Sequence, residues 1–205
     1  MHSGCWLKHF YSSGSNRMIW LRFALIVLLS MTGCSTPVMP SVGVGMPVPD
    51  FSLSAARGGQ FTRADLRGSF VLLSFVDTQA RPTQDADSSR SQIVFLKSIQ
   101  MQYAANGVVV LIVDASDAPR NASYAESVLN FTYDWQLDSI PVLLDEDHNT
   151  AGRFGVVHAP TTFLLSDSGV ILQRWDQLAG PAQLALSLEP LIGSPSYRVT
   201  SVPPN

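Results

Sequence analysis

The chain has 205 residues and almost no cysteine. Cys5 and Cys34 are its only two, and none occurs from Ser35 to Asn205. That long stretch cannot form a disulfide from its own side chains, perform dithiol exchange or build a cysteine-ligated metal site. Acidic residues are missing from the other end, where the first is Asp50. Basic residues are sparse throughout. Lys8, Arg17 and Arg22 are the only charged residues before Cys34, and from there on ten Lys and Arg face sixteen Asp and Glu. No basic run exists that could track phosphates, so nucleic acid is not an expected partner. The acidic stretch Asp145-Glu-Asp147-His148-Asn149 has Thr150 where a calcium loop needs Gly and Val156 where it needs Glu. A solvated turn before a short helix is expected there. No internal repeat is present, and no cofactor is implied.

What the chain does have begins with a leader. Met18 to Met31 carries Arg22 near its start and then a short apolar run. A membrane span needs roughly 20 apolar residues, so this run suits the hydrophobic region of a signal peptide instead. Met31-Thr32-Gly33-Cys34 resembles a bacterial lipobox. The resemblance implies cleavage before Cys34 and acylation of that residue, where several chains give the anchoring that one cannot. Ser35 resembles an outer-membrane sorting signal for a cell with two membranes. The expected organisation is a signal peptide at 1–33 (core 18–33), a lipidated tether at 34–44, a domain at 45–192 and a tail at 193–205. Met18 is an alternative start to Met1. A lipid-anchored protein of the bacterial cell envelope, facing the extracytoplasmic side, is the expected location.

Within the domain, strands and helices alternate. Ser69–Val76 and Val108–Asp114 are apolar runs that read as buried strands. Between them Ile93, Leu96, Ile99 and Tyr103 mark one face of a helix over Ser91–Asn106, with Gly107 as its C-cap. Asn121 is placed to cap a helix over Ser123–Asn130. Ile140–Leu144 is a further short strand. Thr161–Ser166 and Val170–Trp175 flank Asp167-Ser168-Gly169, a hairpin signal. Pro181–Leu191 reads as a closing helix with Pro at a permitted early position. This order predicts an α/β domain with a central mixed sheet flanked by helices.

Motifs along this order resemble the thioredoxin-fold redoxins of the thiol-specific-antioxidant and cytochrome-maturation type. Gly45-Met-Pro-Val-Pro-Asp50-Phe51-Ser-Leu53 resembles their opening Gly-x-x-x-Pro-x-Phe-x-Leu. Phe70–Phe75 resembles the central strand, and Asp145 to Phe154-Gly155-Val156 the Asp…Tyr-Gly-Val segment. Pro160-Thr161-Thr162-Phe163-Leu164-Leu165 with Asp167-Ser-Gly169 resembles Pro-Thr-x-Phe-Leu-Ile-Asp-x-x-Gly. The resemblance implies a thioredoxin-like fold, a cis bond at Ala159–Pro160, and a loop of His158, Ala159, Pro160 and Thr161 that offers its backbone to an extended peptide.

The family's redox motif, Trp-x-x-Cys-x-x-Cys, is where the chain departs. The aligned segment is Val76-Asp77-Thr78-Gln79-Ala80-Arg81-Pro82-Thr83, which puts Ala80 and Thr83 at the two cysteine positions. Neither can form a disulfide, so no catalytic residue is expected. His158 to Leu165 also resembles part of the copper site of Sco-type chaperones, where a His joins two cysteines. Without thiolates a single imidazole is a poor Cu(I) ligand, which leaves His158 a weak candidate and no metal site expected. A hydroxyl of Thr78 or Thr83 acting with His158 as base and Asp77 as orienter is a further alternative. The leading expectation is a binding or scaffold module with an envelope protein or extended peptide as partner. The alternatives are a redoxin component that borrows a partner's thiol, or a Sco-like metal carrier.

Overall fold

The structure, a computed structural model, describes residues 42–79, 84–117 and 121–192, with 84–87 described by backbone alone. Cys34, Ala80, Thr83, the leader and the tail at 193–205 lie outside the described residues. Among those described, seven strands form one mixed sheet: β1 Ser52–Ala55, β2 Gln60–Thr62, β3 Phe70–Val76, β4 Val108–Asp114, β5 Val142–Leu144, β6 Thr161–Leu165 and β7 Ile171–Trp175. Their order across the sheet is β2-β1-β5-β4-β3-β6-β7. β3, β4 and β5 run parallel at the centre, while β6 and β7 on one side and β1 and β2 on the other pair antiparallel. Four helices pack on it: α1 Gln84–Tyr103, α2 Tyr124–Asp134, α3 Asn149–Arg153 and α4 Pro181–Ile192.

Apart from Ser74 and Asp114, the central strands are apolar because both faces are covered. Leu72 and Val76 of β3 join Ile93, Leu96, Ile99 and Tyr103 of α1, Tyr124 and Val128 of α2, and Leu184 and Leu188 of α4 in one cluster. Val71, Leu73 and Phe75 point the other way, into a second cluster with Phe51, Phe154 and Phe163. The side-chain period of two in a strand makes this split. α3 and the opening segment cover that second face, and Val42 already packs against it. The Phe75, Phe154 and Phe163 rings lie 5.2 to 5.9 Å apart in tilted and edge-on pairs, the preferred aromatic geometry. Tyr103 is 1 % exposed and donates its hydroxyl to Glu189 at 3.1 Å, which ties α1 to α4.

Several expectations shift in detail. α1 begins at Gln84, seven residues before Ser91, because its polar first turns carry no apolar period. Gly107 closes the helical stretch with φ 80, a conformation glycine adopts without strain. α2 starts after Ser123 and runs to Asp134; Asn121 accepts from the Ser123 N–H at 3.0 Å in a turn ahead of the helix. β1 and β2, unforeseen as strands, are four and three residues long, too short for a visible alternation. The expected solvated turn at Asp145 is solvated only in part. Asp145 is fully buried and accepts from the Thr150 and Ala151 N–H groups, 3.1 and 2.8 Å, at the start of α3. The hairpin between β6 and β7 turns at Asp167-Ser168-Gly169 as expected, with Gly169 at φ 79.

Candidate functional site

The Ala159–Pro160 peptide bond is cis, as expected. Its loop joins α3 to β6. His158 is exposed, Ala159 half-buried and Pro160 buried. Thr161 is 1 % exposed and donates its hydroxyl to the His158 carbonyl at 2.7 Å, so it shapes the loop from beneath. The loop opens on a cleft of about 550 Å³ shared with Ser88 of α1 and with Asp176, Gln177 and Leu178 after β7. A second hollow of about 330 Å³ lies on the other side of His158 and Ala159, toward Ala115 and His148. Val157, 79 % exposed, and Leu178, 40 % exposed, flank His158–Pro160 with apolar surface. Leu178 is held from below: buried Gln92 of α1 accepts from the Ala179 N–H at 2.8 Å.

Next to Thr78, Asp114 ends β4 as a fully buried carboxylate. Its Oδ1 accepts from the Thr78 hydroxyl at 2.7 Å and from the Thr78 and Ser116 N–H groups at 3.2 Å. Oδ2 accepts from the Ser116 hydroxyl and the Tyr124 hydroxyl, both at 2.8 Å. Donors of this number satisfy a buried charge and fix the chain that supplies them. The segment entering the redox position is therefore pinned at Thr78. The Thr78 hydroxyl gives its proton to Asp114 rather than to His158, the base of the alternative triad. Asp77 accepts from the Gln79 N–H at 2.9 Å, a local turn contact. Gln79 Nε2 is buried with no hydrogen-bond partner among the described residues, a rarity in folded proteins.

On the far side of the cleft Arg174 of β7 gathers several groups. Its Nε donates to Asp176 Oδ1 at 2.7 Å. Nη1 donates to the carbonyls of Val42 and Phe154 at 3.1 Å, and Nη2 to that of Gly155 at 2.9 Å. The Asp176 carboxylate is thus engaged by a guanidinium and does not orient His158. Among the described residues no group of three or more His, Cys, Asp or Glu could hold a metal ion. Near the second hollow, the Asn149 N–H holds the exposed Asp147 carboxyl below its ordinary range.

Residues 44–174 match the AhpC/TSA family. The chain belongs to the AhpC/TSA family. Its relatives there are thioredoxin-fold thiol–disulfide oxidoreductases and thioredoxin-like proteins. Over 158 residues it is 30% identical to the thioredoxin-like protein YneN of Bacillus subtilis (strain 168), covering 74% of this chain and 86% of that one. Over 160 residues it is 24% identical to the thiol-disulfide oxidoreductase ResA of Geobacillus thermodenitrificans (strain NG80-2), covering 76% and 84%. The solved structure of the exposed lipoprotein thioredoxin of Streptococcus pneumoniae strain TIGR4 superposes with a TM-score of 0.58 at 20% identity, covering 70% of this chain and 100% of that one. Both cysteines of this chain, Cys5 and Cys34, precede the matched residues.

The motif that starts at Pro160 marks the cis-proline loop in the sequence. No motif marks Asp114, Arg174 or the Asp176–Leu178 rim. One signal was present for Asp114. A carboxylate that closes the wholly apolar run Val108–Val113 is carried into the core and must find donors there.

Proposed function

We propose that this protein is a lipid-anchored, extracytoplasmic member of the AhpC/TSA family that binds rather than oxidises. In this reading Cys34 carries the lipid, and the loop His158–Thr161 receives an extended segment of another protein. The observation that carries the reading is the cleft on which the loop His158–Pro160 opens, in a domain whose own residues include no cysteine. A thiolate is the nucleophile of dithiol exchange and of thiol peroxidase chemistry. Alanine and threonine at the two aligned positions supply none. The exposed Val157 and Leu178 favour apolar side chains in the bound segment, since covering them removes apolar surface from water.

The mature protein in detergent is expected to reduce insulin and consume peroxide no faster than buffer. Extended apolar peptides are expected to bind it, with loss of binding in Pro160→Ala. Clear turnover in either assay overturns the reading, and equal binding by wild type and Pro160→Ala removes the loop from it. Labelled palmitate is expected in the wild type and absent from Cys34→Ser.

A further inference from the structure

The place where the chain enters the domain bears on which way the cleft faces. Arg174 stands opposite Phe163 in the register of β6 and β7, and its guanidinium lies over the Phe163 ring, 5.2 Å from the centroid. Its side chain is 20% exposed. From there one planar cation holds the Val42 carbonyl at the chain's entry, the Phe154 and Gly155 carbonyls leading into the cis-proline loop, and Asp176 on the cleft rim. A guanidinium fixes several acceptors in one rigid fork, which lysine cannot do. Val42 and Gly155 accept from adjacent nitrogens of that fork, so the two backbones lie side by side. His158 follows Gly155 by three residues, about 10 Å of extended chain.

Covalent length then limits orientation. Val42 follows Cys34 by eight residues, and whatever the conformation between them the chain spans at most about 28 Å there. A domain of this size has a radius of gyration of about 15 Å and so a width near 40 Å. The tether is therefore shorter than the domain is wide. It cannot reach round the molecule to let the face opposite Val42 rest on the bilayer.

We infer that the cis-proline cleft is presented to the membrane surface, with Arg174 as the positioning residue, and that its occupant is an extended apolar segment of a protein embedded in or anchored to that same membrane. The inference rests on the reading of Cys34 as the lipidated residue and deepens it by naming where the partner must stand. The occupant follows from the same length limit. A cleft held close to the bilayer on its own entry side meets segments at the membrane surface before it meets soluble chains.

The test uses the acylated full-length product in vesicles of phosphatidylethanolamine and phosphatidylglycerol carrying a nitroxide quencher on the lipid headgroup. Leader removal and acylation leave no free thiol, so a fluorophore is attached through Val157→Cys or, at the opposite end of β6 and β7, through Asp167→Cys. Greater loss of fluorescence at 157 than at 167 is expected. The difference is expected to vanish when about twenty Gly and Ser residues are inserted after Thr36, which raises the covalent limit to about 100 Å. It is also expected to shrink in Arg174→Gln, with helix content by circular dichroism unchanged, and to return in part in Arg174→Lys. Equal quenching at the two positions, or more at 167, overturns the inference while leaving lipidation intact. Protein that fails to float with the vesicles overturns the lipidation reading itself. A photo-crosslinker at Leu178 in intact cells is expected to give products that stay with the membrane after carbonate washing. Products found wholly among soluble proteins overturn the stated occupant.

Discussion

The Thr78 hydroxyl donates to Asp114 Oδ1 at 2.7 Å, joining the chain just beyond β3 to the last residue of β4. The contact fixes the approach to the aligned redox positions from inside the core. In this chain no thiol stands beyond it, so the bond serves the shape of the surface and the stability of the fold.

Thr78→Val keeps the shape and removes one donor from a buried carboxylate. A hydrogen bond to a charged group contributes about 1.5–3 kcal/mol, and a loss of that size is expected. Asp114→Asn should cost more, since the amide turns donors toward the hydroxyls of Ser116 and Tyr124 that now donate to Oδ2. Urea denaturation with an unchanged m-value reads both. A Thr78→Val midpoint equal to wild type would refute the assigned role.

Gln79 offers the opposite sign. Its Nε2 is buried without a partner among the described residues, and an unsatisfied buried donor costs about 1–3 kcal/mol. Gln79→Met matches the length without the amide, so a more stable protein is expected, with a higher urea midpoint. A lower midpoint would show that the amide has a use in the free protein.

Tyr103 gives the pH dependence. Burial, reinforced by its hydrogen bond to Glu189 and that group's charge, raises its pKa above the ordinary 10.0. The folded state therefore holds the phenolic proton more tightly than the unfolded state. The stability linked to it is fully present below pH 10.0 and falls as the pH rises from there toward the folded pKa. Denaturation midpoints measured on either side of that value should show a steeper alkaline loss in wild type than in Tyr103→Phe. Equal slopes would count against it.

The double substitution Ala80→Cys with Thr83→Cys tests the alignment with the family. The variant is expected to reduce insulin in the presence of dithiothreitol, while wild type stays at the buffer rate. A silent variant that still folds would mean that the two positions do not stand where the family's cysteines stand.

How much of this was legible in advance follows from the range of each interaction. The bounds of β4 are legible because six successive apolar residues, Val108–Val113, carry one signal. The hairpin turn and the glycine after α1 were read because the backbone conformation they need is local. The N-terminal turns of α1 escaped because polar helix turns exposed to water have no period to detect. Of the site, the cis-proline loop was found by motif, whereas the Asp176–Leu178 rim that completes its cleft lies beside it only after β6 and β7 have paired.

By itself the sequence determined that this domain has no thiol of its own, that its sheet and helices alternate, and that a family loop survives where the family's cysteines do not. These are properties of composition and of short stretches, which neighbouring residues settle among themselves. Only the tertiary structure decided that Asp114 gathers Thr78, Ser116 and Tyr124, and that Arg174 joins Val42 to Gly155. The physical reason is separation. Val42 and Arg174 stand 132 residues apart, and no local preference encodes a contact that exists only once β6 and β7 have placed a guanidinium beside both carbonyls.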